Sequence, residues 1–125
     1  MVKFLTDEWV SALDHEASAY GAPIAATFVV EYRVQLDPDE TFVYQIRFDA
    51  DRVTVSKGAP SAATVVLSTN RVTAHGIATN TMSAQAAFMA GQLRLDGDTM
   101  AMVRNHDALT ALDDIFEAVR TITEY

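Results

Sequence analysis

The chain has 125 residues, half of them hydrophobic, with no cysteine and with 9 Lys and Arg set against 17 Asp and Glu, a net charge of -8. That length and composition describe one globular domain with one core and exclude a disordered or fibrous chain. Disulfides, thiolate metal sites and thiol nucleophiles are excluded together. The scattered single cations on an acidic background speak against nucleic acid as a partner.

The first predicted element is a helix from about Asp7 to Ser18. Thr6 stands where its hydroxyl caps the helix, Asp7 and Glu8 suit the positive dipole end, and Trp9, Val10, Leu13 and Ala17 share one face. Asp14 and Glu16 fall away from that face, and Tyr20, Gly21 and Pro23 break the helix.

From Thr27 the period changes to two. Phe28, Val30, Tyr32, Val34 and Leu36 point one way, and Thr27, Glu31, Arg33 and Gln35 the other, which predicts a half-buried strand. The run Asp37-Pro38-Asp39-Glu40 reads as a solvated turn, since it lacks the twelve-position pattern of a calcium loop. A second alternation, with Phe42, Tyr44, Ile46 and Phe48 inward, completes a hairpin. Asp49-Ala50-Asp51 leads into a third strand, Arg52 to Lys57, with Val53 and Val55 on one side. A fourth strand is expected over Ala63 to Ser68, where the continuous Val65-Val66-Leu67 predicts burial on both faces.

After Thr69 or Asn70 as a cap, Arg71 to Ala78 reads as a short helix, and Ser83 caps another from Ala84 to Ala90. Gly91 stops that helix, Leu93 to Asp96 form a fifth strand, and Gly97-Asp98 turns the chain into a helix from about Thr99. Leu109, Leu112, Ile115, Phe116, Val119 and Ile122, spaced by three and four, predict an amphipathic terminal helix from Ala108 to about Ile122. Asp113, Asp114 and Glu117 read as its water-facing stripe.

Catalytic chemistry finds little support in these residues. His15, His75 and His106 are isolated and read as surface or hydrogen-bonded structural residues, so no metal is expected. Ser56, Ser61, Ser68 and Ser83 lack a nucleophile elbow, and no phosphate loop or dinucleotide fingerprint is present. No catalytic residue and no cofactor is therefore assigned. The start of the chain is unlike a secretory signal, and the longest weakly polar run, Gly21 to Val30, falls short of the ~20 residues of a spanning helix. A soluble protein without stable membrane insertion is expected.

The order of elements, and above all the stretch Ala87 to Asp98 reading AFMAGQLRLDGD, resembles the sterol carrier protein type 2, or nonspecific lipid-transfer, family. Gln85, Ala86, Ala87, Phe88, Met89, Ala90 and Gly91, followed by Leu93, Leu95 and Gly97-Asp98, carry that resemblance, which extends over most of the chain. It implies an α+β fold in a single domain over residues 1–125, a five-stranded mixed sheet with helices packed on one face, enclosing an apolar cavity or tunnel. It further implies reversible binding or transfer of fatty acyl chains, acyl thioesters, phospholipids or sterol-like molecules without chemistry. The opening Phe4-Leu5-Thr6-Asp7-Glu8-Trp9 resembles that of stand-alone bacterial members, which implies a cytoplasmic protein. The ending Thr123-Glu124-Tyr125 is unlike the peroxisomal import signal of other members.

In such a tunnel the lining is expected from Phe88 and Met89, from Met100 and Val103, and from Leu112, Ile115, Phe116 and Val119, above a floor of Tyr32, Tyr44 and Ile46. Gln85 is the candidate polar contact for a head group, against the ordinary fate of an exposed helical Gln. The methionines, unbranched and polarizable, adapt to varied ligands or simply fill a core. Two other readings use the same elements. In one, a small enzyme uses the cavity on a hydrophobic biosynthetic intermediate, with Tyr32, Tyr44, His75 or Gln85 orienting it. In the other, the apolar face of the terminal helix packs on another subunit, including a weak homodimer.

Overall fold

The computed structural model describes residues 2–18, 27–49, 52–60, 62–104 and 114–124. In chain order these form β1 (Val2–Lys3), α1 (Asp7–Ala17), β2 (Phe28–Asp37), β3 (Glu40–Phe48), β4 (Val53–Lys57) and β5 (Val65–Asn70). Then come α2 (Arg71–Ala78), α3 (Ala84–Met89), β6 (Leu93–Gly97), α4 (Met100–Arg104), a final helix α5 over residues 114–120, and β7 (Thr123–Glu124).

The fold is α+β, built on a five-stranded mixed sheet of order β4-β3-β2-β5-β6. Only β2 and β5 run parallel; the other neighbours are antiparallel. The pairing aligns Phe28 with Phe48, Val30 with Ile46, Tyr32 with Tyr44 and Val34 with Phe42, so the period of two places these side chains on one face. That face, extended by Val53, Val55, Val65, Leu67 and Leu93, meets Trp9, Val10, Leu13, Ala17, Ala87, Ala101, Ile115 and Val119 from the helices in one core. Helices on one face of a mixed sheet were the expected arrangement.

The helix starts follow the predicted caps. Thr6 Oγ1 accepts from Trp9 N at 3.3 Å, Asn70 Oδ1 from Thr73 N at 2.8 Å, and Ser83 Oγ from Ala86 N at 3.0 Å. Gly91, at φ 77, ends α3 as glycine does in a Schellman turn: Gln92 N donates to Ala87 O at 2.9 Å and Gly91 N to Phe88 O at 3.1 Å. The β2-β3 turn is held by Asp39 N donating to Asp37 Oδ1 at 2.9 Å.

Several details depart from the sequence reading. Two strands of two residues each, β1 and β7, pair in parallel as a separate sheet, too short for any periodicity to betray. Asp14 does not simply face water: its Oδ1 accepts from Val55 N at 2.9 Å, so α1 covers the outer edge of β4. Val66 is only half-buried between buried Val65 and Leu67, so β5 is not buried equally on its two faces. Ile122 lies in a turn beyond α5 and is exposed. Ala108, Leu109 and Asp113 lie outside the described residues.

The opposite face of the sheet holds a polar network. Glu31 is buried there; its carboxylate accepts from Gln45 Nε2 at 2.8 Å and from Arg33 Nε. Glu31→Ala removes a charged acceptor from the buried Gln45 amide and is expected to cost about 1–3 kcal/mol, read as a lower urea midpoint at constant slope, while Glu31→Gln recovers part of it. Nearby, the Thr27 hydroxyl donates to Asp49 Oδ1 at 2.9 Å and Arg47 Nε to Oδ2 at 3.1 Å. These contacts, that from Thr27 first, together with the nearby Arg47 and Arg52 charges, hold the Asp49 carboxyl below the usual carboxylate range against the opposing effect of desolvation.

Candidate functional site

The site begins with the central hairpin. Register sets Tyr32 of β2 opposite Tyr44 of β3, and the two rings stack with centroids 4.7 Å apart and planes 3° from parallel. This pair is a flat aromatic floor on the core face of the sheet. Ile46, one step along β3, extends it with a fully buried side chain.

Two helices supply the roof. Trp9, at the start of α1, meets Tyr44 edge-on at 5.2 Å, and Phe116 of α5 meets Tyr32 edge-on at 6.1 Å. Trp9 and Phe116 lie over one another at 6.2 Å, so four rings from β2, β3, α1 and α5 close on each other. Ile115 and Val119, fully buried on the same helix as Phe116, anchor α5 in the core. Phe4 closes the end of the cluster, edge-on to Trp9 at 4.9 Å.

Beside the two tyrosine hydroxyls, one further polar atom lies within this assembly. Trp9 is 0% exposed, and its indole Nε1 has no hydrogen-bond partner among the described residues. A buried, unpaired donor costs about 1–3 kcal/mol, and native proteins keep few of them.

Of the residues expected to line a tunnel, Tyr32, Tyr44, Ile46, Ile115, Phe116 and Val119 are thus brought together. Phe88, Met89 and Met100 are not: they are 50%, 79% and 60% exposed. The cause is helix geometry. The six-residue α3 turns Ala87 into the core and α4 turns in Ala101, so the neighbouring large side chains, about 100° round the axis, face outward. Small residues let these short helices approach closely, and side-chain size was a misleading guide to burial. Leu112 lies outside the described residues, as do the side chains of Gln85 and Val103, whose backbones belong to α3 and α4. Trp9 and Phe4 were missed as site residues. The sequence signal for Trp9 was a side chain with a polar atom on an otherwise wholly apolar helix face.

Chemically, the cluster offers area, aromatic faces, two tyrosine hydroxyls and the Trp9 indole N–H. It has no carboxylate pair or nucleophile-base pair, and among the described residues no three His, Asp or Glu side chains gather as a metal site. Among those residues, too, no helix is long and apolar enough to cross a membrane.

The same architecture recurs in solved structures. A crystal structure of sterol carrier protein 2 superposes with a TM-score of 0.68 at 15% identity, over 94% of this chain and 97% of that one. The solution structure of a conserved hypothetical protein from Thermus thermophilus, described as possibly a sterol carrier protein, gives 0.69 at 14% identity over 100% of this chain and 93% of that one. The solution structure of palmitated sterol carrier protein 2 like 2 from Aedes aegypti gives 0.60 at 14% identity, over 89% and 94% of the two chains. No individual curated protein matches by sequence. The family model described as the SCP-2 sterol transfer family matches residues 11–110, from within α1 past the end of α4. With most of its length under that model and its sheet order and helices repeated in these folds, the chain belongs to the SCP-2 sterol transfer family.

Proposed function

We propose that this protein binds and carries hydrophobic small molecules, such as fatty acyl chains, acyl thioesters or sterol-like ligands, in the cytoplasm and without chemical change. The observation that carries this reading is the gathering of aromatic rings from sheet and helices around Trp9, whose indole N–H has no partner among the described residues. A ligand chain lies between the Tyr32-Tyr44 floor and α5, with Ile46, Ile115 and Val119 beside it, and Leu112 and Val103 continue the lining. Phe116, half-buried between Tyr32 and Trp9, turns aside to admit it. The indole N–H donates to an oxygen of the ligand, and Gln85 is the second polar contact. Exposed Phe88, Met89 and Met100 form the apolar surface that the ligand meets on entry.

The energetics support a carrier that reads little besides apolarity. About ten methylenes moved out of water are worth about 8 kcal/mol before ordering costs, enough to bind without a precise polar code. The palmitated fold neighbour from Aedes aegypti supports an acyl chain as the first ligand to try.

Trp9 is the only tryptophan, so its emission reports on the site alone. Titration with a fatty acid brominated in mid-chain is expected to quench Trp9 saturably, while the unbrominated acid competes the quenching away. Unchanged emission at saturating ligand, together with native mass spectra free of copurified lipid, overturns the reading.

A further inference from the structure

A concave surface lies where β1 and β7 meet α2. The strands pair Val2 with Thr123 and Lys3 with Glu124, fastened by Val2 N donating to Ile122 O at 2.9 Å and Phe4 N to Glu124 O at 3.0 Å. Beside them α2 presents Arg71 and His75, four residues apart and so on one helix face. Between strands and helix is a cleft of about 290 Å³ lined by Lys3, Phe4, Thr6, Arg71, His75 and Glu124.

Its charge is opposite to that of the protein. Two permanent cations and an imidazole face one carboxylate, in a chain of net charge -8. Arg33, Arg47, Lys57, Arg94 and Arg104 each hold a carboxylate in an ion pair, whereas Lys3 and Arg71 have none at that distance among the described residues. Their charges are available to a ligand.

The wall is also held in place. Leu5, between Phe4 and Thr6 in the same wall, has φ 58, a left-handed conformation that costs a side-chain-bearing residue about 1–2 kcal/mol. It persists because the Leu5 side chain is buried and because the Thr6 hydroxyl donates to Lys3 O at 2.7 Å. Strain that fixes the path of the chain thereby fixes Lys3 and Phe4. Phe4 belongs to two sites at once: its ring lies 6.3 Å from the His75 ring and 4.9 Å from that of Trp9. The apolar wall of the cationic cleft is the outer wall of the aromatic cluster.

We propose that this cleft binds the anionic head group, carboxylate or phosphate, of an acyl amphiphile whose chain passes Phe4 into the aromatic cluster. The path of the chain rests on the carrier reading; the anion site does not. Arg71 offers a planar fork to two oxygens and Lys3 a point charge, with the His75 imidazole beside them. Glu124, on the same cleft, opposes any anion, but with two cations against it a dianion gains more than a monoanion, so a phosphate dianion binds more tightly than a carboxylate.

The test is an NMR titration of amide and indole N–H signals of the full chain with acetate, inorganic phosphate, octanoate and octyl phosphate. Octanoate is expected to shift Phe4, Thr6 and His75 saturably and to move the Trp9 indole signal, with octyl phosphate tighter and the two short anions moving the cleft signals alone. Arg71→Gln is expected to weaken octanoate about fivefold, and Glu124→Gln to tighten it by a similar factor, the size of one exposed charge-assisted contact. Both side chains are exposed, so the spectra also show that the fold is intact. Equal octanoate affinity in wild type and both variants overturns the cleft while leaving the carrier intact. Arg71-dependent acetate shifts with an unmoved Trp9 signal for every alkyl probe uphold the anion site and overturn the carrier.

Discussion

Gly97→Ala is expected to lower stability by about 3–5 kcal/mol, while Gly91→Ala costs only about 1 kcal/mol. Both glycines occupy left-handed backbone, at φ 90 and φ 77, so each variant carries conformational strain. The difference lies in what surrounds them. A Cβ on Gly91 meets nothing within 4 Å, whereas one on Gly97 falls 2.5 Å from the carbonyl oxygen of Thr64. That oxygen is backbone, fixed by accepting from Asp98 N at 2.9 Å, so relief requires parting β5 from β6 where Val65 pairs with Gly97. Urea unfolding of the two variants checks the contrast. Equal losses would mean that close packing at Gly97 contributes nothing.

Trp9→Ala is expected to cost about 3–5 kcal/mol, because a fully buried indole leaves a cavity among Phe4, Tyr44 and Phe116. Trp9→Phe should stay within about 1 kcal/mol of the parent. The smaller ring forfeits packing, but the indole N–H that has no partner among the described residues, worth about 1–3 kcal/mol against the fold, goes with it. In a domain whose total stability is on the order of 5–15 kcal/mol, the alanine variant loses a large share and the phenylalanine variant remains folded. Thermal unfolding of both without ligand decides the matter; a Trp9→Phe loss as large as that of Trp9→Ala would remove the argument for an unsatisfied donor.

Much of the fold was legible because its signals are local. The alternation of Phe28, Val30, Tyr32 and Val34 against Glu31, Arg33 and Gln35 identifies β2, and the hydroxyl or amide before each of α1, α2 and α3 marks its start. What stayed hidden depends on partners far away in sequence. Asp14 looks like a solvent-facing helix residue until β4, 41 positions later, is laid beside it. Glu31 and Gln45 read as outward and polar, yet they are buried together because each completes the other across the hairpin. The candidate site divides the same way. Tyr32, Tyr44, Ile115 and Val119 follow from strand and helix periods, whereas the short α3 and α4 hold too few residues for a face to declare itself, and the large Phe88 and Met100 were assigned the place that Ala87 and Ala101 take.

The Asp14 contact also governs how copies of this protein can meet. A sheet adds strands at its edges, and of the two edges here β4 has α1 along it with a backbone donor already engaged. Among the described residues the other edge of the five-stranded sheet is β6, carrying exposed Arg94 and Asp96. Strand addition to this sheet at that edge, between two copies, would pair β6 with β6 across a two-fold axis. Such a pair uses the open edge of this sheet in both copies, so strand addition there closes at two rather than continuing into the open-ended stacking that makes fibrils.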